Sequence, residues 1–106
     1  MITYDDFMKL DIRIGTVAAA EKVAGTDKLI RLEINLGAER RQVVAGMATT
    51  YSAEEFIGKQ VPLLVNLEPK KLRGIESQGM ILAVDVNGTP ILLLPDREVP
   101  AGSVVR

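Results

Sequence analysis

The 106-residue chain has no cysteine. That excludes a disulfide framework, a thiolate nucleophile and a Cys-ligated zinc site. It has no histidine either, which removes the usual general base near neutral pH and the commonest metal ligand. Aromatic residues are scarce: Tyr4, Phe7, Tyr51 and Phe56 are the whole set. No apolar run approaches the roughly 20 residues a membrane helix needs. The first residues are acidic and polar (Thr3, Asp5, Asp6), unlike a signal peptide, so a cytoplasmic location is expected. A reaction would have to rest on carboxylates, lysines or hydroxyls. Asp27, Glu54 and Glu55 form no pair with a reason to share a cleft, and the two glutamates fit a helix N-terminus. Neither an enzyme nor a cofactor-binding protein is expected.

What is present suits one ordinary globular domain spanning 1–106, with 47% apolar and 25% charged residues. Net charge is −1, so the whole protein does not advertise a polyanionic partner. Its distribution is uneven. Between Lys28 and Arg73 lie eight basic residues (Lys28, Arg31, Arg40, Arg41, Lys59, Lys70, Lys71, Arg73) and five acidic ones (Glu33, Glu39, Glu54, Glu55, Glu68). A local basic face is compatible with a near-neutral protein.

Periodicity gives the element order. Thr3–Asp6 has the form of a capping box and predicts a short helix to about Met8. Asp11 to Val23 reads as a long strand, with Gly15 where a strong bend needs a small residue. Ile30, Leu32, Ile34 and Leu36 alternate with Arg31, Glu33 and Asn35, the clearest strand in the chain. A third strand runs from Arg41 to Ala45. Ser52–Glu55 is a second capping box, opening a helix that ends near Gly58. Val61, Leu63 and Val65 mark the fourth strand and Met80 to Val86 the fifth. Asn87-Gly88 is a hairpin turn leading into Ile91–Leu94, whose four apolar residues suggest burial on both faces.

Three strands, a short helix, two strands and extra C-terminal strands match an all-β class: a five-stranded OB-fold Greek-key barrel with its helix between strands 3 and 4, preceded by an N-terminal short helix. An SH3-like barrel or a small sandwich has a similar strand count. The helix position favours the OB plan.

The stretch from Asn66 to Met80 joins strands four and five, where OB barrels grip oligonucleotides. Pro69 stiffens its start, and Gly74 and Gly79 permit tight turns. Lys70, Lys71 and Arg73 present charge suited to phosphates. Asn66, Ser77 and Gln78 add short neutral donors suited to phosphate or ribose oxygens. On composition alone the same stretch also reads as a solvated surface loop, Arg40-Arg41 as the flank of a turn, and Arg31 and Glu33 as members of cross-strand pairs.

The pattern Asn-Leu-x-Pro-x-Lys-Leu-Arg-Gly-x-x-Ser-x-Gly-Met, Asn66 to Met80, resembles the signature of the tRNA-binding domain of methionyl-tRNA synthetases. The synthetases carry that domain at the C-terminus or as a beta subunit. The same resemblance extends to stand-alone tRNA-binding proteins and the endothelial monocyte-activating polypeptide II group. Asp6-Phe7, Asp11–Gly15, Thr26–Leu29, Arg41–Gly46 and Tyr51–Gly58 fit in order, so it covers nearly the whole chain.

It implies an OB core, a homodimer, and tRNA recognised by shape and backbone charge. It also implies a role as an auxiliary module of, or for, the catalytic region of methionyl-tRNA synthetase. Asn66, Lys71, Arg73, Ser77 and Met80 would be the tRNA-binding residues by position, with Lys28 and Arg41 or Gln42 nearby; Lys70 joins the tRNA-binding set by its charge on the same stretch. Glu68 departs from the family's pattern, where lysine is common, and would weaken the hold on phosphate. Because relatives of the family are linked to protein export, a chaperone-like peptide binder with a groove near Met47 and Met80 is the alternative.

Overall fold

The computed structural model describes residues 1–106. The first helix, α1 (Tyr4–Phe7), is one turn long and is fixed by its cap. The Thr3 hydroxyl accepts the Asp6 amide at 3.1 Å, and the Asp6 carboxylate accepts the Thr3 amide at 3.2 Å. The barrel then begins with β1 (Ile12–Lys22), a strand long enough to serve two neighbours. Its first half, Ile12 to Thr16, pairs antiparallel with β4 (Gln60–Leu64). Its second half pairs with β2 (Ile30–Asn35), after a register shift between Val17 and Ala19. Such a bulge lets one strand bend around a barrel corner. Gly15 sits at that bend because nothing larger fits: a Cβ there would lie 2.2 Å from Cγ2 of Ile34.

Next to β2 runs β3 (Arg40–Ala45), and on the far side of β4 lies β7 (Met80–Ile81), giving the order β3-β2-β1-β4-β7. Helix α2 (Ala53–Phe56) falls between the third and fourth strands and buries Phe56 completely. The period of two in β2 has the expected result. Ile30, Leu32 and Ile34 are fully buried, beside Val17, Val43, Val61 and Leu63 in the core. Arg31 and Glu33 on the wet face form ion pairs with Glu21 at 2.7 Å and Arg40 at 2.9 Å.

This nearly closed five-stranded antiparallel barrel is the expected all-β OB-like fold, with extra strands and short helices around it. The C-terminal segment covers the open side of β1: Ile14 N–H donates to Ser103 O at 2.8 Å and Val105 N–H to Ile12 O at 2.8 Å. Gln60 anchors the approach to that segment by exchanging two hydrogen bonds with Val99. No helix is long and apolar enough to cross a membrane.

Three expectations are corrected. The segment 66–80 is not an open loop. It contains the hairpin β5 (Lys70–Leu72) and β6 (Ile75–Ser77). Met80 to Val86 is not one strand either: it is interrupted at Leu82, whose amide makes the last bond to β4, to Pro62 O at 3.0 Å, and proline has no N–H to return. Beyond the break, β8 (Ala83–Val86) leaves the barrel and pairs with β9 (Thr89–Leu92). The turn there has positive φ at both Asn87 and Gly88, the geometry a two-residue hairpin demands. Finally, Ile91–Leu94 is not buried on both faces. Leu92 and Ala83 pack on the core, while Ile91, Leu93 and Leu94 are 41%, 42% and 53% exposed. One face of a two-stranded ribbon covers the barrel; nothing in the chain covers the other.

Candidate nucleic-acid interface

The chain between β4 and β7 is a strap thrown across one end of the barrel. Its hairpin turns at Arg73-Gly74, with φ of +53° and +79°. Left-handed backbone is ordinary for glycine and disfavoured for arginine by roughly 1–2 kcal/mol. Register places Lys70 opposite Ser77, Lys71 opposite Glu76 and Leu72 opposite Ile75. Lys70, Lys71 and Arg73 are exposed, and none has an ion-pair partner. The tip reaches back to the β1–β2 turn, where Arg73 lines one concavity with Gly25, Thr26, Asp27, Lys28 and Leu29. Lys28, unpaired as well, therefore joins the hairpin cations.

The barrel's own arginines are in a different state. Arg31, Arg40 and Arg41 are paired with Glu21, Glu33 and Glu39 at 2.7–2.9 Å. Arg13 is held by Asp11 through two bonds of 2.9 and 3.2 Å, which raises the guanidinium's pKa chiefly through the side-chain hydrogen bond. Lys22 at the end of β1 and Lys59 before β4 also lack an ion pair, but the group of unpaired cations that lies together is the one on the strap and the adjoining turn.

The remaining members of the sequence-predicted set are engaged within the protein. Ser77 is buried: its hydroxyl accepts the Val44 amide at 3.0 Å and donates to Gly79 O at 3.0 Å. The Asn66 amide accepts the Asp11 N–H at 2.9 Å and donates to Lys9 O at 2.7 Å, tying the strap's start to the end of α1. Gln42 donates from its side chain to Glu76 O at 2.9 Å, and its backbone exchanges bonds with Gln78 at 2.8 and 3.1 Å. Arg41 donates to Val65 O and Gln78 O. Met80 is 46% exposed and lines a groove of about 590 Å³ with Met47, Ile81, Leu82 and Val84.

So the structure brings Lys28, Lys70, Lys71 and Arg73 together as unpaired cations. It places Arg41, Gln42, Asn66 and Ser77 at the strap's fastenings, and Met80 on the groove beside it. The sequence reading missed the strained turn at Arg73. Leu72 and Ile75 flanking Arg-Gly were a signal for it, since an apolar pair around a two-residue turn with glycine is a hairpin pattern.

A barrel of this order, with a cationic strap between its last two strands, belongs to the OB class, whose members bind oligonucleotides on these loops. The family described as "Putative tRNA binding domain" matches residues 12–104. Over 106 residues the chain is 53% identical to the methionine–tRNA ligase of Methanothrix thermoacetophila. The match covers all of this chain and 16% of that protein. Among solved structures, a MetRS-related protein from Pyrococcus horikoshii matches with a TM-score of 0.96 at 39% identity, covering 100% of this chain and 98% of that one. The chaperone CsaA from Bacillus anthracis matches with a TM-score of 0.90 at 37% identity, covering 100% and 99%. The chain belongs to the tRNA-binding domain family, of the methionyl-tRNA synthetase type.

Proposed function

We propose that this chain is a non-catalytic cytoplasmic module that holds tRNA for methionyl-tRNA synthetase, meeting the folded RNA through Lys28, Lys70, Lys71 and Arg73, with Met80 beside them. The observation that carries this reading is the segregation of charge: these four cations have no acidic partner, while the arginines of the barrel face do. In the same reading Arg41, Gln42, Asn66 and Ser77 belong to the site by shaping the strap.

The scarcity of aromatic surface favours the RNA exterior over stacked bases. Phe56 is fully buried, and Tyr51 is turned edge-on to it at 5.5 Å with its hydroxyl accepting the Leu92 amide. Tyr4, on α1, is exposed, but it is not on the strap. Without aromatic platforms on the strap, recognition falls to phosphates and 2′-hydroxyls, which suits a folded RNA.

Two copies would double the cationic surface, and joint docking strengthens binding without new contact types. The uncovered face of the β8–β9 ribbon, with Val84, Val86 and Ile91 exposed and Leu93 exposed just past its end, supports a homodimer through that ribbon. Sedimentation at micromolar concentration reads this directly; a monomer removes the dimer from the reading.

The decisive experiment is affinity for bulk tRNA, duplex RNA and single strands across a salt series. If roughly three to five phosphates are neutralised per subunit, log K falls against log salt with about −0.7 to −0.9 per phosphate. tRNA binds best, and no association at low ionic strength overturns the proposal. A second reading, capture of extended peptides, rests on the Met47–Met80 groove and on the likeness to CsaA. Apolar peptide binding survives salt that abolishes RNA binding, so the same series separates the two.

A further inference from the structure

Arg41 stands apart from the strap's other fastenings because it touches both ends of the strap at once. One nitrogen, Nη1, donates to Val65 O at 2.6 Å, where the chain leaves β4, and to Gln78 O at 3.2 Å, where it returns from β6. Nε is occupied by Glu39 at 2.8 Å. The guanidinium thus closes the segment 66–77 into a ring at its neck. Beside it, the Gln42 and Gln78 backbones and the Ser77 hydroxyl fasten only the returning leg, and Asn66 only the departing one.

We propose that Arg41 is a positioning residue of the RNA site: it sets the pitch of the cationic hairpin by clamping the two ends of the strap together, and does not itself neutralise a phosphate. The inference rests on the RNA reading above and makes this residue a clamp in place of a phosphate contact. Three features support it. The charge is already matched by Glu39. The carbonyls it serves lie just beyond Leu64–Met80, the last pair of the β4–β7 ladder, so the guanidinium carries the tie between the two legs past the end of that ladder. And the rigid guanidinium holds Glu39 through Nε while Nη1 serves both carbonyls, a two-nitrogen geometry that a single ammonium nitrogen does not reproduce. Ordering the hairpin before RNA arrives lowers the entropic cost of binding.

The test compares Arg41→Lys and Arg41→Gln with Lys71→Ala, in the full chain, using bulk tRNA across a salt series and amide hydrogen exchange of residues 70–77. A clamp predicts that both Arg41 variants lose about tenfold in affinity, the scale of one lost charge-assisted pair of bonds. Their salt slope stays at the wild-type value and exchange in the hairpin accelerates. Lys71→Ala instead loses about 0.7–0.9 of slope with hairpin exchange unchanged. Lysine restoring affinity in Arg41→Lys, a reduced slope in Arg41→Gln, or no loss in either variant overturns the clamp. Should Arg41→Gln fail to fold, Arg41→Lys alone decides between charge and geometry. Failure of the underlying reading is distinct, because then the wild type itself shows no salt-dependent binding.

Discussion

The hydroxyl of Ser77 and the backbone amide of Val44 lie 3.0 Å apart, joining the strap to the third strand inside the protein. That bond, with its continuation to Gly79 O, closes a gap in the barrel wall where β3 and the returning chain do not form a ladder. Replacing Ser77 with alanine leaves the Val44 N–H buried without an acceptor. Such an orphan costs about 1–3 kcal/mol. We expect Ser77→Ala to lower the unfolding free energy by that amount in urea melts and to weaken tRNA binding with an unaltered salt slope. A variant as stable as wild type with a shallower slope would instead mark Ser77 as a direct RNA contact.

Arg73 holds a backbone conformation, φ +53°, in which asparagine or glycine is at ease and arginine is not. Strain retained at an exposed turn asks for a reason outside the fold, and the charge at the hairpin tip supplies one. Arg73→Asn keeps the turn while removing the cation. It should gain about 0.5–1 kcal/mol of stability and lose about one phosphate's worth of salt slope, 0.7–0.9, in tRNA binding. Chemical denaturation and the salt series check the two halves separately. Gained stability with undiminished binding would mean that the tip does not meet RNA.

Much of the barrel was legible because it obeys short-range rules. In β2 the alternation of Ile30, Leu32 and Ile34 with Arg31, Glu33 and Asn35 fixes which face is dry, whatever the partner strands are. Both capping boxes likewise announce their helices locally. The break at Leu82 was not legible, because Met80 to Val84 is an unbroken apolar run and the residue facing Leu82 is Pro62, a tertiary partner with no N–H to return the bond. Nor was the exposure of Leu93 and Leu94, since apolar residues state only that something should cover them.

The candidate site divides in the same way. That the strap is cationic can be read from Lys70, Lys71 and Arg73 alone. Short polar residues such as Asn66 and Ser77 have the same chemistry whether they face a ligand or a carbonyl of their own chain. Their partners, Asp11 and Val44, lie 55 and 33 residues away in sequence. Only the closed barrel brings them together.

The two caps also make the stability of this chain depend on acid in a definable window. The Ser52 amide donates to the Glu55 carboxylate at 2.6 Å, and this backbone bond, foremost, holds the Glu55 pKa below its ordinary value. The Thr3 amide does the same for Asp6. A carboxyl whose folded pKa is depressed contributes stability that is fully present above its unfolded pKa and is lost as pH falls through the lower, folded value. The window therefore lies at and below about pH 4, the ordinary carboxylate range. Glu55→Gln keeps an acceptor for the Ser52 amide but cannot ionise. Its melting temperature should sit below wild type at pH 7, with the gap narrowing as the pH is taken from 5 toward 3. Since the chain has no histidine or cysteine, no such narrowing is expected between pH 8 and 6. A gap that stays constant down to pH 3 would show that the Glu55 charge contributes nothing to the folded state.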